Sequence, residues 1–177
     1  MADVWTDFIN LLLGAYGNPY IFLPLAFLYA ILIALILPIP IELSLVAPIV
    51  GQDWGYLAEI SIALAAGKTV GAWLIFVFGI KVEDSIRWWS AKWRFAKWFV
   101  DKTEIFVQKT GYLGLYFLLS IPLMSDTIPI YLYSLFNKEG KSLERNIFLG
   151  ANFFAAINRV AILAGLFLLG VDLLRAV

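Results

Sequence analysis

LSIPLMSDTIPIY, residues 119–131, lies inside an apolar run that extends from Gly111 to Phe136. Such a run continues as a membrane helix unless something stops it. Here two prolines, Pro122 and Pro129, bracket a carboxylate, Asp126. Proline removes a backbone donor and clashes with the preceding turn, so it ends or interrupts a helix. The pattern predicts two short helical arms joined at a tip of open backbone. Unpaired backbone at membrane depth survives only where it is buried in protein or lines a cavity. Asp126 is thereby expected near the midplane, in a hairpin with Pro122 and Pro129 at its tip.

A second stretch of the same kind lies upstream. Residues 20–37 are wholly apolar and are followed by PIPIELSLVAPIVG, residues 38–51, with Glu42 just past Pro38 and Pro40. The arm 41–50 reaches about 15 Å as a helix, half of a hydrocarbon core of about 30 Å. It is too short to span, so this half also predicts a re-entrant hairpin, with Pro38 and Pro40 at the tip. Each hairpin is followed by a segment long enough to cross. Residues 56–80 carry Lys68 near their middle, and residues 146–171 carry Arg159 near theirs.

The halves align. GKTVGAWLIFVFGI (67–80) falls on NRVAILAGLFLLGV (158–171), which places Lys68 on Arg159 and Gly79 on Gly170. Pro40 falls on Pro129, and the spacings from proline to cation are 28 and 30 residues. The shared order of tip proline, return arm, spanning helix with one central cation and terminal glycine indicates an internal repeat. One crossing per half means that the second hairpin enters from the opposite face, an inverted repeat. The fold class expected is all-α and integral to a membrane. A single membrane domain covers 1–177: an interfacial N-terminal helix at 1–17, a first repeat at 18–80, a basic amphipathic linker at 81–109 and a second repeat at 110–171.

Composition fits this plan. Of 177 residues 62% are hydrophobic and 15% charged, too apolar for a soluble core of this size. Formal net charge is zero, which gives no reason to expect a nucleic-acid partner. Cysteine and histidine are both absent, which excludes disulfides, thiolate sites, His-metal sites and Ser-His or Cys-His nucleophiles. No cofactor and no metal is implied. Asp126 also lacks a second catalytic aspartate in an intramembrane-protease setting, so an enzyme is not expected. The N-terminus, MADVWTDFINLLL, carries acids where a signal peptide carries basic residues, so no cleaved signal is expected. The linker 81–109 holds seven Lys/Arg against four acids, with Trp88, Trp89, Trp93 and Trp98. In helical register Ile86, Trp89, Trp93, Ala96 and Val100 form one stripe, the pattern of an interfacial helix with aromatic anchors. This linker and 137–145 together carry ten Lys/Arg, whereas 1–20 and 51–55 carry none. The positive-inside rule then puts the linker in the cytoplasm and both termini outside a multi-pass protein of the cell membrane.

Certain segments resemble a known family. LPIPIELSLVAPIVG (37–51) resembles the P-x-P-S-E stretch of the DedA family, also called VTT-domain or SNARE-associated-Golgi-like proteins. AAGKTVGAWLIFVFG (65–79) resembles the glycine-rich helix that follows it there, and QKTGYLGLYFLLSIPLMSDTIPIYLYSLF (108–136) is similar to that family's second hairpin. The resemblance covers roughly residues 20–171. It implies re-entrant hairpins in an inverted repeat, Glu42 as the acid of hairpin one, and a role in lipid scrambling, polyprenyl-phosphate recycling or proton-dependent transport. One departure is plain. The family's second hairpin reads Arg-Phe-x-Pro-x-x-Arg, whereas this register is Leu119, Ser120, Ile121, Pro122, Leu123, Met124, Ser125. With both arginines missing, either Lys68 and Arg159 serve a phosphate instead or the substrate differs.

Intramembrane charges are expensive and mark function by default. Glu42 and Asp126 are therefore candidates for proton-carrying or gating roles. Lys68 and Arg159 are candidates to receive an anionic headgroup or to tune the carboxylates. Asn158, beside Arg159, is a candidate for a hydrogen bond across helices. Gly67 and Gly71 are expected to permit close packing. The expected function is a lipid scramblase or a translocase of phospholipid or polyprenyl phosphate. Its partners would be membrane lipids, anionic lipid phosphate among them, and protons, and a homo-oligomer is compatible with the sequence. A proton-coupled exporter of small cations or drugs and a non-transporting membrane scaffold are the alternatives. A purely structural pair of salt bridges would account for the same four charges.

Overall fold

In the computed structural model the described residues are 10–11, 14–35, 41–90, 94–135 and 144–176, and helices are the only regular elements among them. In chain order they are α1 (Pro19–Leu35), a 3-10 turn (Ile41–Ser44), α2 (Val46–Val50), α3 (Trp54–Ser90), α4 (Arg94–Ser120), α5 (Thr127–Leu135) and α6 (Arg145–Ala176). Pro38 and Pro40 lie outside the described residues, as does most of 1–17. The interfacial stripe of residues 86, 89, 93, 96 and 100 falls outside the described side chains.

Local chemistry sets the helix ends. Asn18 precedes α1 and accepts from Tyr20 N at 3.1 Å, while Pro19 occupies the first position, where a missing N–H costs nothing. Asp53 precedes α3 and accepts from Tyr56 N at 3.0 Å. Helix α3 then runs for 37 residues. It continues through Lys81 to Ser90 without a proline to stop it, so the first part of the expected linker is an extension of α3 itself. Helix α4 is interrupted at Gly111, whose φ of 52° and ψ of −146° leave helical space. Only glycine adopts such angles without strain. The break separates 94–110 from the arm 112–120. Past Ser120 the chain is non-helical until Thr127, so Pro122 follows the end of one arm. Pro129 instead sits in the first turn of α5, where its missing N–H has no helical partner to lose.

Two helices are long and apolar enough to cross a membrane, Trp54–Phe78 within α3 and Arg145–Gly170 within α6. Large apolar side chains face outward on several elements, among them Ile21, Leu28, Trp73, Phe117, Phe154 and Leu166, which is compatible with a hydrocarbon surrounding. Helix α3 packs against α1, α4, α5 and α6. Its closest approach is to α1. A Cβ at Gly67 would collide with the Phe27 carbonyl oxygen and lie 2.9 Å from Ala30 Cβ, and one at Gly71 would lie 2.6 Å from Ala34 Cβ. The expected close packing at both glycines is present.

The buried apolar side chains form two clusters. One holds Leu57, Ile60 and Leu64 of α3 with α1, Ile41, Leu45 and Val160 of α6. The other holds Ala72, Ile75 and Phe76 of α3 with Leu115, Leu119, Ile130, Tyr133, Phe148 and Ala155. The early part of α3 thus meets the late part of α6, and the reverse holds in the second cluster, so α3 and α6 are antiparallel. Lys68 falls between the clusters on α3, and Arg159 falls between them on α6.

Candidate functional site

Between the two apolar clusters lies a layer of four charges. Lys68 is 0% exposed, Asp126 1%, Arg159 1% and Glu42 7%. The four come from four different elements: the 3-10 turn, α3, the open tip 121–126 and α6. Lys68 Nζ lies 2.9 Å from Asp126 Oδ1, and Arg159 Nη2 lies 3.0 Å from the same oxygen. Arg159 Nη1 lies 3.6 Å from Glu42 Oε1. The pairing crosses between the halves of the chain. The cation of the first half meets the acid of the second, and the cation of the second meets both acids.

Backbone completes the cluster. Leu123 N donates to Glu42 Oε1 at 2.8 Å, and Met124 O accepts from Arg159 Nη2 at 3.1 Å. Leu123 has a φ of 62°, a left-handed conformation that is uncommon for a residue with a side chain. The tip is therefore held in a strained shape, and the hydrogen bond to Glu42 is one of the contacts that hold it. Thr127, at the start of α5, donates to the Ile33 carbonyl of α1 at 2.9 Å.

Two acids and two cations make the layer formally neutral, which is how four charges tolerate burial. The pairing still leaves atoms idle. Glu42 Oε2, Asp126 Oδ2, Ser125 Oγ, Asn152 Oδ1 and Arg159 Nε are buried without a hydrogen-bond partner among the described residues, and Arg159 Nη1 has only its 3.6 Å ion pair with Glu42. The layer can therefore offer donors to an anion and acceptors to a proton or donor group, provided the existing pairs rearrange. Among the described residues no group of three or more His, Cys, Asp or Glu comes together to hold a metal.

All four charged residues singled out in the sequence meet here. Asn158 does not join them in the same way. It is half-buried and one residue from Arg159, so about 100° around the helix. The backbone groups of Leu123 and Met124, and the side chain of Asn152, were not singled out. Asn152 carried a signal, because it lies seven residues before Arg159 and so on the same helix face.

Two apolar grooves of about 400 Å3 each flank α6. One lies against α3 and includes Trp54, Ala58, Ser61, Ile157 and Ala161. The other lies against the arm 112–120 and includes Tyr112, Tyr116, Gly150 and Phe154. No family model matches the chain, and no curated protein or solved structure matches it.

Proposed function

We propose that this chain is a multi-pass membrane transporter of the DedA/VTT type that moves a phosphate-bearing lipid between leaflets. In this proposal the four-charge layer is the headgroup site. The observation that carries it is the cross-paired, neutral, fully buried cluster whose partners come from both halves. A purely structural pair needs neither a strained tip nor idle donors and acceptors. The arms 112–120 and 127–135 are each about 13 Å long as helices, too short to span, which supports a re-entrant hairpin. Antiparallel spanning helices with reciprocal charge pairing support the inverted repeat.

The chemistry follows from the pairing. A phosphate needs Lys68 and Arg159, and Asp126 already engages both. Protonating Asp126 or Glu42 weakens its hold and frees a cation for the phosphate. Releasing Glu42 also loosens Leu123, so occupancy of the site and the shape of the tip are coupled. A lipid-phosphate carrier therefore binds its headgroup more tightly as pH falls. A cation exporter, which the idle Glu42 Oε2 and Asp126 Oδ2 would favour, behaves oppositely because protons compete with its substrate.

The test is binding of a short-chain polyprenyl phosphate, a short-chain phospholipid and a small organic cation, from acidic to neutral pH. Tighter lipid-phosphate binding at the acidic end, lost in Lys68→Ala and Arg159→Ala, is expected. If those variants bind lipid phosphate as the parent does, the carrier proposal fails. A cation whose binding weakens on acidification would put the exporter in its place. A chain that binds none of the probes, and tolerates neutral substitutions of Glu42 and Asp126 together, is a scaffold.

A further inference from the structure

We infer that Asn152 selects transported headgroups by accepting a hydrogen bond, so that lipids bearing an N–H or O–H donor are preferred over those without one. The inference rests on the lipid-carrier proposal and adds a specificity residue to it. Asn152 is fully buried on α6. Its Nδ2 donates to the Phe148 carbonyl at 2.8 Å. That bond fixes the orientation of the amide, because a carbonyl can receive only the NH2 side. Oδ1 is consequently turned the other way, buried and without a donor. A buried acceptor left unmade is unfavourable, and a leucine of similar size would carry no such penalty.

The matching position in the first half sharpens the point. Ser61 lies seven residues before Lys68, as Asn152 does before Arg159. Ser61 Oγ also bonds its own helix, donating to the Leu57 carbonyl at 2.6 Å. A serine is enough for that local bond. The second polar atom of Asn152 is extra to it.

Asn152 is placed to act together with the charge layer. It shares a helix face with Arg159, and the rise between their Cα atoms is about 10 Å. Helical side chains lean toward the helix N-terminus, so Arg159 extends in the direction of Asn152. In the layer itself Arg159 Nε lacks an acceptor among the described residues. A headgroup seated between the two residues brings phosphate oxygens to the guanidinium and a hydrogen-bond donor to Asn152 Oδ1. Phosphoethanolamine offers N–H and phosphoglycerol offers O–H. Phosphocholine carries the same phosphate with no donor.

The experiment uses the purified full chain in liposomes with acyl-labelled phosphatidylethanolamine, phosphatidylglycerol and phosphatidylcholine, and measures leaflet exchange of each. The parent protein is expected to move the first two about five- to tenfold faster than the third, the factor one buried neutral hydrogen bond is worth. In Asn152→Leu, or Asn152→Ala should leucine prevent folding, that ratio falls to about one, and the leucine variant keeps or raises the thermal midpoint. Asn152→Ser can bond the Phe148 carbonyl as Ser61 bonds Leu57 but lacks the second polar atom, so it keeps the fold and loses the preference. Equal rates for all three lipids in the parent overturn the role of Asn152 and leave the carrier proposal standing. So does an Asn152→Leu protein in which all three rates fall by one factor. A parent that moves none of them overturns the role of Asn152, and the polyprenyl-phosphate binding test then decides the carrier proposal.

Discussion

Asp126 Oδ1 pairs with two cations at once, and both lose their nearest counter-charge if it is neutralised. Removing one partner of a buried ion network costs about 3–5 kcal/mol, so Asp126→Asn is expected to lower thermal stability by roughly that amount. Glu42→Gln should cost less, about 1–2 kcal/mol, because glutamine still accepts from Leu123 N and the contact with Arg159 is the longer one at 3.6 Å. Unfolding midpoints in detergent check the ranking, and an equal or reversed order would show that Asp126 does not hold the layer. A paired variant separates structure from function. Lys68→Met with Asp126→Leu removes one charge of each sign and is expected to recover much of the stability lost in Asp126→Asn, without recovering transport. Recovery of both would make the layer purely structural. The four charges were legible in the sequence because ions in apolar runs are rare and costly. Leu123 N–H and Met124 C=O were not, because every residue carries these groups and leucine gives no signal for a left-handed turn. Asn152 is tied to Arg159 by helical spacing, seven residues apart, a weaker mark in the sequence than the adjacency of Asn158.

Two glycine sites show different physics at the level of elements. Gly67 faces α1, and any Cβ there meets the Phe27 carbonyl and Ala30. Gly111 has open space around its missing side chain, and its requirement is the φ of 52° alone. Replacement costs should therefore scale differently. At Gly67 alanine is expected to cost about 2–3 kcal/mol and valine more, as overpacking between helices grows with volume. At Gly111 alanine and leucine should each cost about 1–3 kcal/mol, since the penalty comes from its φ of 52° and ψ of −146° and is nearly independent of size. Thermal unfolding of the four variants tests this. A steep size dependence at Gly111 would mean that its side-chain direction is occupied. The break at Gly111 falls where the polar run gives way to an apolar one, a change of composition that by itself gives no sign of a left-turning backbone. The continuation of α3 to Ser90 was not legible either. The onset of charge at Lys81 marks a change of solvent, and a helix without proline need not end where its surroundings change.

At the scale of the molecule the antiparallel pairing of α3 and α6 constrains topology. If both cross the bilayer, the start of α3 and the end of α6 share one side, and the end of α3 and the start of α6 share the other. The second pair of ends adjoins the ten Lys/Arg of 81–109 and 137–145, and the first adjoins 51–55, with none, and the last residues of the chain, with Arg175 alone. The positive-inside rule puts the basic side in the cytoplasm. The protein contains no cysteine, so single introduced cysteines report position without background. Gln52→Cys is a suitable outside probe, because Gln52 is exposed and, unlike Asp53, does not cap α3. Ser90→Cys and Lys141→Cys probe the basic side. A membrane-impermeant maleimide applied to intact cells is expected to label position 52 and to reach positions 90 and 141 only after permeabilisation. The same labelling with all sides exchanged would keep the inverted arrangement and refute only the charge rule. Labelling of 90 and 141 from opposite sides would mean that the segment between them crosses an odd number of times. The arms 112–120 and 127–135 would then not return to the side they entered from, and the hairpin that places Asp126 at the midplane would not exist.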